Sequence, residues 1–216
     1  MKRLIALVAA LALLAAFLPA AAEPAEETKS PLAETVEALT YLHFDFVSMM
    51  LIDHGLYKNE EEAFYDIVLL ELIDHHYDCP AYRTRNNVWD ALFIPDSSGD
   101  KVQSVRLLAD ITTLSMEYED YLTVLYHVEG LASPFWDFPN LGSFGKDFGN
   151  ILLEAYFSTG TYETQKLDMT GVSVCCFHNG NTLGINLDFP KAVSQDDVLA
   201  NPYVQIIISG SSGSDE

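Results

Sequence analysis

Between residues 31 and 130 apolar positions recur mostly at intervals of three and four, whereas between 172 and 208 they tend to alternate with polar ones. This change of period predicts an α+β domain, with an N-terminal layer of about three helices packed on a C-terminal antiparallel sheet that contains a β-hairpin. Ser30 offers an N-cap and Pro31 occupies the first helical position, so a first helix starts there. Its apolar stripe runs through Leu32, Val36, Leu39, Leu42, Phe46, Met49 and Met50, and Gly55 closes it. Asn59 followed by Glu62 opens a second helix, expected from about Glu60 to Tyr77 and stopped ahead of Pro80. A third, long helix is expected over 100–129, striped by Ile111, Leu114, Tyr118, Tyr121, Leu122, Leu125 and Val128 and ended by Gly130. Ahead of it, Asp96 to Asp100 (DSSGD) forms a turn.

Beyond Gly130 the pattern breaks. Residues 131–149 are rich in Pro, Gly and aromatic residues and read as an irregular connection, followed by a short helix over 150–157. The strongest local signal is Val172 to Phe189, two alternating strands joined by Asn179-Gly180 as a type I′ turn. With that loop Cys176 faces Leu183 and Val174 faces Ile185. Val172, Val174, Cys176, Leu183, Ile185 and Leu187 then share the buried face, and Cys175 points away from it. A further strand is expected at Tyr203 to Ile208. Residues 31–208 thus form a single domain, helical over 31–130 and strand-rich over 150–208, ahead of a disordered tail at 209–216.

The N-terminus changes where this domain is expected to work. Lys2 and Arg3 precede an uncharged apolar run from Leu4 to Leu18, and Ala20-Ala21-Ala22 supplies small residues for cleavage. Residues 1–22 therefore read as a secretory signal peptide and 23–30 as a polar linker, which makes the mature chain extracytoplasmic. No later uninterrupted run of about 18 apolar residues occurs, so no further membrane span is expected. No N-x-Ser/Thr sequon occurs, in keeping with a bacterial source. Cleavage removes two basic residues, leaving 9 against 32 acidic ones and a net charge near −23. Such a field repels phosphate backbones, which argues against nucleic-acid binding and favours neutral or basic extracellular ligands, a peptide or a glycan among them.

Three constellations carry candidate chemistry. Trp136, Asp137, Phe138 and Asn140 set aromatic and polar side chains together in the irregular connection, a pattern suited to stacking on a sugar ring or clamping a peptide. The leading expectation is accordingly a non-catalytic binding or interaction module. The alternative is a metal-dependent hydrolase or metal-binding protein: on a helix reaching Tyr77, Glu71 and His75 stand at i and i+4 with Asp74 beside them, a face that could hold a divalent cation. His43 and His54 cannot share one ion, because eleven helical residues rise about 16 Å. The third reading is a cysteine hydrolase using Cys175, with His178 or His127 as base. In an oxidising compartment Cys79 is instead expected to bridge to Cys175 or Cys176.

Overall fold

A computed structural model describes residues 29–72, 77–135, 141–202 and 205. The chain falls into two compact units, Met1–Lys29 with Pro202–Glu216 and Ser30–Asn201, and every element described below belongs to the second. Its order is α1 (Pro31–Asp53), α2 (Glu60–Ile67), β1 (Leu69–Leu72), β2 (Ala81–Thr84), β3 (Asp90–Pro95), β4 (Val102–Asp110), α3 (Tyr118–Ala132), α4 (Leu141–Phe157), β5 (Thr161–Glu163), β6 (Leu167–Met169), β7 (Val172–Asn179), β8 (Thr182–Val193) and α5 (Gln195–Leu199). A short 3₁₀ turn, Ser133–Phe135, extends α3. The strands form one antiparallel sheet in the order β1-β2-β3-β4-β8-β7-β5, with β6 also pairing along β7. The fold is α+β.

The caps read from the sequence are in place. Ser30 Oγ accepts from the Ala33 amide, and Asn59 Oδ1 accepts from the Glu62 amide. Gly55 adopts φ +75°, its amide donates to the Ile52 carbonyl, and the Leu56 amide donates to the Leu51 carbonyl, which together make a Schellman termination. Leu56 then packs against the cluster of Phe46, Val47, Leu51, Ala63, Ile67, Leu122 and Tyr126 that joins α1, α2 and α3.

Two predicted helices give way to strands. The second helix ends at Ile67, because Val68 turns extended (ψ 134°) and Leu69–Leu72 pair with β2. A continuous apolar run has no period that separates a buried helix from a buried strand, and pairing with β2 decides it. The helix expected over 100–129 is two elements. Val102–Asp110 is strand β4, held between β3 and β8, and only Tyr118–Ala132 is helical. The Asp96–Asp100 turn therefore links two strands, and Asp96 Oδ1 accepts from the amides of Ser98 and Gly99 to shape it. Gly130 does not end α3. A Cβ there would lie 3.0 Å from Val47 Cγ2 and 3.3 Å from the His43 carbonyl oxygen, so this glycine lets α1 and α3 cross closely.

The irregular connection is shorter than expected, since α4 begins at Leu141. Phe144 and Phe148 are buried and stack on one another, and Phe135 packs on Phe189. In the hairpin Asn179 pairs with Thr182 and Cys176 with Ile185, a register two residues from the expected one. Only Gly180 of the loop residues takes positive φ (+64°), the pattern of a type II′ rather than a I′ turn. A shift of two preserves side-chain parity, so Val172, Val174, Cys176, Leu183, Ile185 and Leu187 share one fully buried face as expected. The strand expected at Tyr203–Ile208 and the tail lie outside the described residues.

Candidate functional site

Helices cover the face of the sheet that carries Val174, Cys176 and Ile185, where Ser158, just past α4, meets His178. The opposite face is half-exposed and polar. Arg83 grips Asp90 through two bonds, Nε to Oδ1 at 2.6 Å and Nη2 to Oδ2 at 3.0 Å, and the Tyr77 hydroxyl donates to the same carboxylate at 3.4 Å. Arg106 Nε donates to Asn186 Oδ1 at 2.7 Å, and its guanidinium lies over the Phe177 ring. That ring in turn covers Gly184, where any Cβ would collide with it.

At one end of this face a cavity of about 340 Å³ opens, formed by the ends of β2, β3, β4 and β8 and the turns that join them. Leu108, Ala109 and Val88 supply its apolar wall, and the polar groups around it come from Arg83, Asp90, Asp110, Thr113 and Asn181. Asp110 Oδ1 accepts from the hydroxyl and the amide of Thr112 (2.7 and 2.9 Å), and these bonds hold its carboxyl below the usual carboxylate range. Burial, with Asp90 close by, raises the Tyr77 phenol. The result is a cleft with an ionised acceptor, a fixed Arg–Asp pair, amides and a protonated phenol, groups that accept and donate hydrogen bonds.

A second polar cluster lies between α1 and α3. His43 Nε2 and His127 Nδ1 are 2.8 Å apart with their rings stacked, and both side chains are buried. Burial and the neighbouring imidazole hold His43 well below its ordinary pKa, and burial pushes His127 down to about 4. Glu129, 2% exposed, is raised by burial to about 8, so it stays protonated at neutral pH. His54, at the end of α1, lies 2.6 Å from the Tyr126 hydroxyl. His43 is thus a hydrogen-bonded core histidine. Glu129, two residues beyond His127 and so on a different side of α3, belongs to no motif legible in the sequence.

The residues singled out in the sequence fare differently. Glu71 is on strand β1, opposite Arg83, so the helical spacing that joined it to His75 does not exist. Asp74 and His75 lie outside the described residues, as do Trp136, Asp137, Phe138 and Asn140. No group of three or more His, Cys, Asp or Glu side chains suited to a metal ion occurs among the described residues. All three cysteines are free thiols. Cys79 precedes β2 whereas Cys175 and Cys176 are on β7, and the expected disulfide between them is not formed.

Cys175 does point away from Cys176, but it is only 2% exposed and not the accessible thiol expected. Burial raises the thiols of Cys79, Cys175 and Cys176, the reverse of what a nucleophile requires. His178 shares the face of Cys176, held by Ser158 Oγ (3.0 Å) and the Gly180 carbonyl (2.7 Å), and His127 is tied to His43. Neither of the two expected bases is placed beside Cys175. Compared with known protein families, curated proteins and solved structures, the chain matches none.

Proposed function

We propose that this chain is an exported, strongly acidic binding module that holds a small neutral or basic polar ligand, a peptide segment or a glycan, in the cleft at the end of the open sheet face. The observation that carries this reading is the convergence of Asp90, Asp110, Asn181 and Thr113 on a cavity of about 340 Å³ backed by Leu108. That volume lies within the range of small-ligand sites, about 300–1,000 Å³. An apolar wall with hydrogen-bonding groups around it suits the ring and hydroxyls of a sugar, and equally the backbone and side chain of a short peptide. The excess of acidic residues favours a ligand without negative charge.

Export rests on residues 1–22. Near the N-terminus the described chain also carries α1, apolar enough by length and composition to cross a membrane or to pass for a signal sequence. Half of its most apolar stretch is buried, and the Phe46–Leu51 portion joins the core formed with α2 and α3, which supports its role as a core helix of the mature domain.

Calorimetric titration of the mature chain against neutral glycans and basic peptides tests the reading. Asp110→Asn and Asn181→Ala should each weaken the bound class by at least about tenfold, the loss of one or two buried hydrogen bonds. Unchanged affinity in both variants overturns the cleft as the site. Trp136→Ala in the same titration tests the aromatic segment separately.

A further inference from the structure

The His43–His127 pair poses an accounting problem that the proposed binding function does not use. One hydrogen bond joins Nε2 of His43 to Nδ1 of His127 and needs a single proton between them. Whichever ring donates, one outward nitrogen carries a hydrogen and the other is bare. Those outward atoms, His43 Nδ1 and His127 Nε2, have no hydrogen-bond partner among the described residues. A proton added to the pair must land on the bare outward nitrogen, leaving a buried cation and two unpartnered donors. The surroundings have little slack, because even a Cβ added at Gly130 would lie 3.0 Å from Val47 Cγ2 and 3.3 Å from His43 Cδ2.

We propose that the contact between α1 and α3 is an acid-sensitive latch: protonation of the His43–His127 pair is accommodated by separation of the two helices. Among the described residues no carboxylate bonds either ring to stabilise the charge in the closed state. On α3, Glu129 acts on Tyr121 and Tyr126 instead. On α1, Asp45 acts on Tyr41 and His54 bonds Tyr126. The α2 acids Glu62 and Asp66 act on Tyr57. From α5, Asp197 is taken by Lys191 and Ser194, and Asp196 is exposed. On α4, Lys146 and Asp147 are exposed and Glu154 bonds Tyr162. The charged groups of β4 and β8 lie on the far side of the sheet, where Arg106 bonds Asn186 and Asp188 bonds Lys166, or at its end, where Asp110 bonds Thr112. The depressed pKa values of both imidazoles agree with this inventory.

Amide hydrogen exchange on the mature chain reads the latch. The measurement is made in an Glu129→Gln background, so that protonation of that acid does not offset the effect, and is corrected for intrinsic exchange. Between pH 7 and pH 4.5 the protection of α1 and α3 should fall at least about tenfold relative to that of β4 and β8. A His43→Gln, His127→Asn double variant keeps an amide at each bonded position and cannot titrate, so its ratio should stay constant. A pH-independent ratio in the parent, or an equal fall in the double variant, overturns the latch. Should the double variant not fold, the imidazole NMR signals of the parent decide. Both rings must titrate together with the loss of α1 and α3 protection, and titration with protection intact sinks the proposal.

Discussion

Glu129 shows how a single buried side chain sets the pH response. Its carboxyl is protonated in the folded protein up to about pH 8, against 4.5 for an ordinary glutamate. A raised folded-state pKa contributes stability that is fully present below pH 4.5 and is lost as pH rises through 8. Glu129→Gln removes the ionisation, so the variant should gain on the parent steadily from pH 5 to pH 9, by as much as about 4 kcal/mol at the alkaline end. Urea denaturation at pH 5, 7 and 9 checks this, and parallel pH profiles for the two proteins would refute it. The lowered pKa of His127 works the other way: its contribution is intact above pH 6.5 and falls as pH drops towards about 4. The two opposed groups place the stability optimum on the acid side of neutrality.

At the scale of elements, the crossing of α1 and α3 is set by Gly130. Alanine is the better helix former by about 1 kcal/mol, yet its methyl would press on Val47 Cγ2 and on the immovable His43 carbonyl. Gly130→Ala should therefore destabilise the protein by about 1–2 kcal/mol net of propensity, read as a lowered denaturation midpoint. A raised midpoint would show that the helices have room to part. In the sequence Gly130 looked like a terminator, because a glycine after an apolar stripe is the ordinary sign of a helix end. Its interior role needs the partner helix, which no local pattern reports. Ser30, Gly55 and Asn59 were legible for the complementary reason: each acts on backbone within three residues. The strand at Val102–Asp110 was not, since Gln103 and Leu108 break its alternation and its pairing with Ile185 and Leu187 spans some eighty residues. The buried face of the hairpin is legible even though the register is displaced, because parity survives a displacement of two. The cleft could not be read at all: Arg83, Asp110 and Asn181 come together only when four strands are laid side by side.

For the whole molecule the dominant quantity is charge. Thirty-two acidic residues against eleven basic ones imply self-repulsion that salt should relieve. The melting temperature is expected to rise by several degrees between 10 mM and 300 mM sodium chloride, whose Debye lengths are about 30 and 6 Å. A flat or falling salt dependence would mean that the charges are already balanced locally. Arg83–Asp90, Lys166–Asp188 and Lys191–Asp197 are ion pairs among the described residues, and eleven basic side chains cannot partner thirty-two acidic ones one to one. The same screening should weaken a basic ligand more than a neutral one, which separates the peptide and glycan readings of the cleft.

The two outermost positions of the sheet bear on how copies of this protein behave when crowded. On one side stands β1, four residues long with an irregular register between Leu69 and Glu71. On the other, β7 is covered by two three-residue pieces, β5 and β6, whose pairing slips by one residue where the chain passes Gln165 and Lys166. Among the described residues neither side offers a long, regular row of free amides and carbonyls on which a second chain could continue the ladder. The interrupted edges thus discourage strand-by-strand polymerisation while the polar sheet face stays open to solvent.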